Sequence, residues 1–524
     1  MGITRQRIGV IGAGPGGLAA AMLLARTGAE VVVHERLPRV GGRSGTLVGH
    51  SPAGAFRFDI GPTFFLYPRI LEEIFAACGH DLHAEVELIR LDPLYELVFE
   101  GGGRLPASGD PARLAEAVAA FCPRDAANLP RYMADNRAKL DAFRPILERP
   151  FTHVAEYLRP TVLRALPAMR PHSTVERDLA RYFSDERVRL AFSFQSKYLG
   201  MSPFRCPSLF TILAFMEHEY GIWHPRGGCG AVIDAMARVA RGMGVRIHLD
   251  DPVQEVLVEG GRARGLRFAD RTERYDALFI NADFAHAMTT LVPDSARRRW
   301  TDRRIARKSF SCSTFMLYLG IEGRIDNLGH HTIVLADDYR RNIAEIEAGR
   351  APPGRPSFYV HNASVTDPTL APPGHSTLYV LVPVGHNRPE GPDWTAERAR
   401  YRRLALDRLA TLGIEDLERR IRFEQVITPL EWERDMAIHK GATFNLAHSL
   451  DQMLMFRPHN RFEDIDGVYL VGGGTHPGSG LPTIFESARI SARLAADDLG
   501  LDIPAGNAMP ARPPRLEPAI MEAL

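Results

Sequence analysis

Six residues near the start, Gly12-Ala13-Gly14-Pro15-Gly16-Gly17, have the types and spacing to hold a pyrophosphate. A Gly at the first position permits a tight turn out of a strand, one at Gly14 lets backbone approach phosphate, and Gly17 allows a helix to pack closely. The turn follows the apolar run Ile8–Ile11 and opens an Ala/Leu-rich helical stretch that reaches Arg26. The unpaired N–H groups and dipole of such a helix attract anions. Gly28 ends the helix, Val31-Val32-Val33 reads as a second strand, and Glu35 follows, eighteen residues past Gly17. A carboxylate there accepts both hydroxyls of a ribose, so strand, turn, helix, strand and acid form one dinucleotide-binding unit. An acid at Glu35 argues against a 2′-phosphate, although Arg36 is its neighbour.

Two further clusters follow closely: Gly41-Gly42-Arg43, then Asp59-Ile60-Gly61-Pro62-Thr63. A nicotinamide site has no need of them. In flavoproteins with two dinucleotide-binding domains, a Gly-Gly-Arg turn lies on the flavin side of the pyrophosphate, and this resemblance points to FAD. Near the other end, Tyr469-Leu470-Val471-Gly472-Gly473-Gly474 is a second strand running into glycines, and Gly480-Leu481-Pro482 precedes a helix expected over 483–498. That helix aims another N-terminus at the cofactor. Val253, after Val245–Leu249, joins the same set, and Thr63 and Phe64 are placed to line the flavin ring.

The elements that must position these residues are α/β. The fold expected is a Rossmann-like two-dinucleotide-binding FAD domain, an antiparallel-sheet substrate domain, and an inserted helical subdomain that faces a membrane. The chain divides into FAD-binding segments over 1–110, 226–300 and 431–500, the helical subdomain over 111–225, the substrate domain over 301–430, and a loose Pro/Ala-rich tail over 501–524. Hairpins are expected around Gly101-Gly102-Gly103 and Gly260-Gly261. Between Phe192 and Trp223 the chain is rich in aromatic residues, suited either to a core or to the lining of a long apolar ligand.

Length and composition set the limits. The 524 residues amount to roughly three domains' worth of chain. Sixty-four basic and 63 acidic residues leave a net charge of +1, which gives no reason to expect a nucleic-acid partner. Five scattered cysteines without a CxxC read as reduced thiols of a cytoplasmic protein. No apolar run reaches the roughly 20 residues of a membrane span, and no signal-peptide segment precedes the first strand. Along the chain no His/Cys/Asp cluster has metal-ligand spacing, and no metal is expected.

Over about residues 7–500 the chain resembles the bacterial phytoene desaturase family of carotenoid-modifying flavoproteins. The resemblance is carried by the two glycine motifs and Asp59–Thr63, and more specifically by Trp223-His224-Pro225-Arg226-Gly227-Gly228, Leu381-Val382-Pro383, Asp393-Trp394, Gly441-Ala442-Thr443-Phe444, Phe456-Arg457-Pro458 and Tyr469–Gly478. It implies FAD, a long isoprenoid substrate drawn from a membrane, desaturation of C–C bonds, and monotopic attachment to the inner face of the cytoplasmic membrane. The family also holds carotenoid end-group oxygenases and hydroxycarotenoid desaturases. Thr483–Ala488 departs from its pattern by placing Glu486 in the expected first turn of a helix near the flavin, where it would interact with the helix dipole. His224, Arg226, His476 and Glu486 are the polar candidates for a catalytic part. Two other readings of the scaffold are weaker. An amine oxidase needs an aromatic cage before the C-terminal glycine turn, where only Phe444 stands, and an inert isoprenoid-binding module has little use for Glu35 and Arg43.

Overall fold

The computed structural model describes residues 5–350 and 354–503. Its cofactor half is a five-stranded parallel sheet ordered Arg246–His248, Glu30–His34, Arg7–Ile11, Ala277–Ile280, Val468–Leu470. Strands covered on both faces read as unbroken apolar runs, which is why Ile8–Ile11, Val31–Val33 and Ala277–Ile280 lack polar alternation. The sheet draws on both ends of the chain. Its opening helix, Pro15–Ala25, packs against the closing helix, Leu481–Leu499, and against Cys229–Gly242. The second of these begins two residues earlier than the 483–498 read from the sequence, because Pro482 is accommodated in its first turn.

The hairpin Glu255–Glu259/Arg262–Arg267 turns on Gly260 and Gly261 with φ of 60° and 80°, positive values that favour glycine. The other expected hairpin, Tyr95–Phe99/Arg104–Ala107, also forms, but it lies outside the cofactor half in which the sequence reading put it. It adds to the edge of a seven-stranded sheet ordered Ile421–Ile427, Ser313–Glu322, His375–Val384, Phe358–His361, His331–Leu335, Tyr95–Phe99, Arg104–Ala107. Tyr95–Phe99 runs parallel to His331–Leu335, so the substrate sheet is mixed rather than wholly antiparallel. Tyr95, Leu97 and Phe99 alternate into a core shared with the helical insert, and that burial draws the hairpin across.

The insert is a run of helices from Pro111–Ala119 to Ile212–Tyr220. Several start on Pro, whose missing N–H costs nothing in a first turn. At its centre Lys139 is fully buried and donates to Asp178 Oδ2 (2.9 Å), Thr211 Oγ1 (2.7 Å) and the Ser208 carbonyl (3.1 Å). A buried ammonium needs this degree of pairing to stay charged. A three-stranded sheet, Phe65–Leu66, Ile222–Pro225 and Leu88–Arg90, returns the chain from the insert to the cofactor half. Among the described residues no helix is long and apolar enough to cross a membrane, and the five cysteines are unpaired. Most of the expected tail, residues 504–524, lies outside the described residues.

Candidate active site

The first glycine turn forms as its sequence requires. Gly12 has φ of 97°, and its N–H donates to the His34 carbonyl at 2.8 Å. A Cβ at Gly17 would stand 2.1 Å from the Gly12 carbonyl oxygen, so no larger residue lets this helix start so close to its strand. The helix is capped by Gly14 without any side-chain hydrogen bond, which leaves its first N–H groups directed at the cavity. Glu35 is buried and its carboxylate is fixed from behind. Oε2 accepts from the Ala13 N–H at 2.8 Å and Oε1 from the Leu37 N–H at 2.9 Å. A carboxylate has about four acceptor positions, so lone pairs remain for ribose hydroxyls.

The Gly41-Gly42-Arg43 turn is tied to the first, since the Gly41 N–H donates to the Ala13 carbonyl at 2.8 Å. Arg43 reaches across the molecule, donates to the Thr443 carbonyl and faces Asp283. Burial raises the Asp283 carboxyl, with Arg43 pulling it back down. From the C-terminal unit, Gly472 donates to Ser487 Oγ at 3.0 Å, and Gly480, with φ of 119°, caps the closing helix. Arg457 is wholly buried. It donates to the carbonyls of Gly473 (2.6 Å) and Thr475 (3.1 Å), which fixes the glycine turn, while burial pushes its guanidinium down to about 9.

These loops enclose one end of a cavity of about 610 Å³. Gly12, Gly14, Pro15, Glu35, Arg36, Gly42, Arg43, Gly61, Pro62, Thr63, Val253, Gly473, Gly480 and Leu481 all line it, from segments hundreds of residues apart. Ala13, Gly16, Gly17 and Gly474 stand behind that surface and shape it. The same cavity continues along Phe64, Phe194, Tyr198, Phe210, Leu213 and Met216, then Leu335 and Phe358 of the mixed sheet. The aromatic stretch therefore divides: Phe194, Tyr198 and Phe210 face the cavity, whereas Phe192 and Phe215 pack into the core.

The four polar candidates separate. His224 is buried away from the lining, with Nε2 3.3 Å from Asp367 Oδ2. Arg226 is paired with Glu87 at the surface (2.6 and 3.0 Å). His476 is buried beside Phe151, outside the lining, and desolvation pushes it down to about 4. Only Glu486 reaches the cavity. It lies in the second turn of the closing helix rather than the first, because that helix starts at Leu481, so the dipole has little hold on it. Desolvation dominates instead and raises its carboxyl to about 7, against the opposing pull of Arg489 at 3.2 Å.

Sequence reasoning missed other lining groups. Tyr359 and Thr63 share a hydrogen bond of 2.8 Å between their hydroxyls, and Tyr359 also meets His331 Nδ1 at 2.7 Å. His448 accepts the Ser479 N–H at 3.0 Å and is held neutral by burial and by Arg457. Neither Tyr359 nor His448 stands in a motif, and nothing but the fold brings them to the cavity.

Two glycine-turn units converging on one cradle, with a fixed acid for ribose, define a dinucleotide-binding oxidoreductase. The sequence pattern of flavin-containing amine oxidoreductases matches residues 15–499, and the chain belongs to that family. Its cofactor is FAD, which the glycine cradle and Glu35 fit. The chain is 43% identical over 491 residues to a 4,4'-diapophytoene desaturase (4,4'-diapolycopene-forming) of Methylomonas sp, covering 93% of this chain and 95% of the relative. It is 38% identical to an all-trans-zeta-carotene desaturase of Myxococcus xanthus over 94% and 93% of the two chains. Among solved structures, an oxidoreductase from Methanosarcina mazei superposes with a TM-score of 0.60 at 19% identity, covering 92% of this chain and 99% of that one, which shows the shared fold.

Two outcomes test the site. Gly17→Ala places a methyl inside the Gly12 carbonyl, and overpacking of this kind costs about 1–3 kcal/mol or more. The flavin absorbance of the purified variant, relative to its protein absorbance, is expected to fall severalfold, and unchanged occupancy would refute the role given to this turn. Glu486 has a folded value near 7 against 4.5 for the free group, so its ionisation opposes folding, increasingly as pH rises from 4.5 to 7. Glu486→Gln should therefore stabilise the holoprotein more at pH 8 than at pH 4.5, by about 3 kcal/mol. Thermal unfolding at both pH values checks this, and an equal effect at each would contradict it.

Proposed function

We propose that the protein is an FAD-dependent desaturase of a long polyisoprenoid of the phytoene or diapophytoene type. One observation carries this reading: a single cavity runs from the dinucleotide cradle into a lining of aromatic and aliphatic side chains. Its walls suit a hydrocarbon chain without polar groups, and two relatives that align over nearly the whole chain are named as carotenoid-pathway desaturases.

Bound FAD supplies a two-electron acceptor for hydride. The protein's own contribution is to hold a saturated C–C bond against that acceptor and to keep water away. Loss of hydride beside an existing double bond leaves an allylic cation, and loss of a proton from the neighbouring carbon completes the new double bond. The substrate thus gives up one hydride and one proton, and the first departure requires no strong base. For the proton, Glu486 is the lining carboxyl whose affinity is matched to neutral pH. Phe64, Tyr198 and Tyr359 line the same cavity, and aromatic rings close to a delocalised cation favour it.

Access from a membrane is part of the proposal. Val154 and Leu158 are 69% and 71% exposed on the short helix Val154–Leu158, and Leu163 and Leu166 are exposed on the adjoining Pro160–Met169. Arg159 and Arg164, also exposed, are interspersed with them. Apolar side chains among arginines are what an interfacial helix offers to lipid and anionic headgroups, and this supports peripheral attachment to the inner face of the cell membrane.

Co-expression in cells that make either phytoene or diapophytoene tests the function. The expected result is a pigment whose absorption bands move to longer wavelength as conjugation grows. If neither hydrocarbon is altered, the desaturase reading fails, and oxidised end groups on an already coloured carotenoid would instead identify an end-group oxygenase.

A further inference from the structure

Outside the cavity, the fold assembles a cluster that the linear sequence conceals. His224 comes from the strand Ile222–Pro225, His330 from the loop just before His331–Leu335, and His361 from the end of Phe358–His361. The three are 0%, 6% and 3% exposed. Each offers one ring nitrogen, and the three nitrogens lie within 4.8 Å of one another. We propose that His224, His330 and His361 form a buried three-histidine site for one divalent cation of the zinc class, with the fourth position left to a water molecule.

His361 Nε2 and His330 Nε2 share a hydrogen bond of 3.0 Å, and a small opening of that pair reaches the roughly 3.3 Å that separates two nitrogens on a tetrahedral zinc with Zn–N bonds of about 2.0–2.1 Å. His330 is anchored on its other side by Thr366 Oγ1 at Nδ1 (2.7 Å). His224 is anchored by Asp367 at Nε2, and its Nδ1 is buried with no hydrogen-bond partner. Asp367 is itself held by the Gly227 N–H (2.6 Å) and by Thr369. Imidazoles oriented from behind by a carboxylate or hydroxyl are the usual outer shell of a metal site. An all-nitrogen set suits zinc and its transition-metal neighbours rather than magnesium or calcium, and the Asp367 carboxylate offsets its charge.

None of the three histidines lines the cavity, so the cation would staple rather than catalyse. It would join the strand that pairs with Phe65–Leu66, next to Thr63 and Phe64, to one strand of the substrate sheet and to the loop that enters its neighbour. The expectation of no metal rests on spacing along the chain; these ligands are 106 and 31 residues apart, and only the sheet pairing makes them neighbours.

The test uses the untagged holoprotein, purified after growth with added zinc and dialysed into metal-free buffer. Metal analysis should find about one zinc per chain, and zinc-edge X-ray absorption should show imidazole nitrogens at about 2.0 Å with no sulfur. His361→Gln should cut zinc content at least fivefold while flavin content persists, and His50→Ala, a surface substitution, should leave zinc unchanged. Zinc below one-fifth of an equivalent in the unaltered protein, sulfur in its first shell, or full zinc in a folded His361→Gln variant would each overturn the site. Should that variant not fold, the absorption spectrum of the unaltered protein decides alone. Zinc binding does not depend on the substrate, so its failure and failure of the desaturase reading are separate results.

Discussion

A methyl group added at Gly16 would stand 2.6 Å from Val471 Cγ1, 2.7 Å from Asn281 Oδ1 and 3.0 Å from Ile484 Cγ2. At that one spot the opening helix, the strand after the hairpin and the C-terminal glycine unit meet with no room to spare. Close packing of these side chains against the Gly16 backbone lets helix termini from both ends of the chain serve one cofactor. It also makes the middle of the chain an insertion into a closed cofactor half, free to build a separate sheet and a helical wall. Cradle and apolar cavity therefore share a boundary, formed by Gly61-Pro62-Thr63 and Phe64.

Buried polarity around that meeting point is satisfied largely by backbone. Glu35 is held by two N–H groups and Arg457 by carbonyls, with the Gly473 carbonyl its shortest contact. Groups fixed in this way cost little reorganisation when a ligand enters, because their partners do not move with side-chain rotamers. Polar atoms at the cradle and a mainly apolar lining beyond it are the division that a flavin facing a polyene requires. Glu486 is one of several charged groups on the cavity wall, and desolvation pushes its carboxyl up to about 7.

Much of the cofactor half was legible from residue order, since Gly12, Gly17 and Glu35 act through contacts within one local unit and their spacing encodes it. The same holds for the hairpin at Gly260-Gly261, whose positive φ values follow from its residues. What could not be read depends on long-range packing. The hairpin 95–107 has a clear local signal, yet its allegiance to the substrate sheet is decided by a core made with helices far along the chain. His224 and Arg226 stand in a specific motif but turn away from the cavity, one to Asp367 and one to Glu87. Tyr359 and His448, which do reach it, lie in segments with no chemical signature.

If the glycine cradle and the apolar cavity act as one site, hydrogen leaves the hydrocarbon directly to the bound flavin. Anaerobic single-turnover absorbance tests it most directly. Mixing the oxidised holoprotein with liposomes carrying phytoene or diapophytoene should bleach the flavin band near 450 nm, with appearance of a more unsaturated product in step with the bleaching. A flavin band that stays unchanged with both hydrocarbons, in protein shown to carry FAD, would contradict the account.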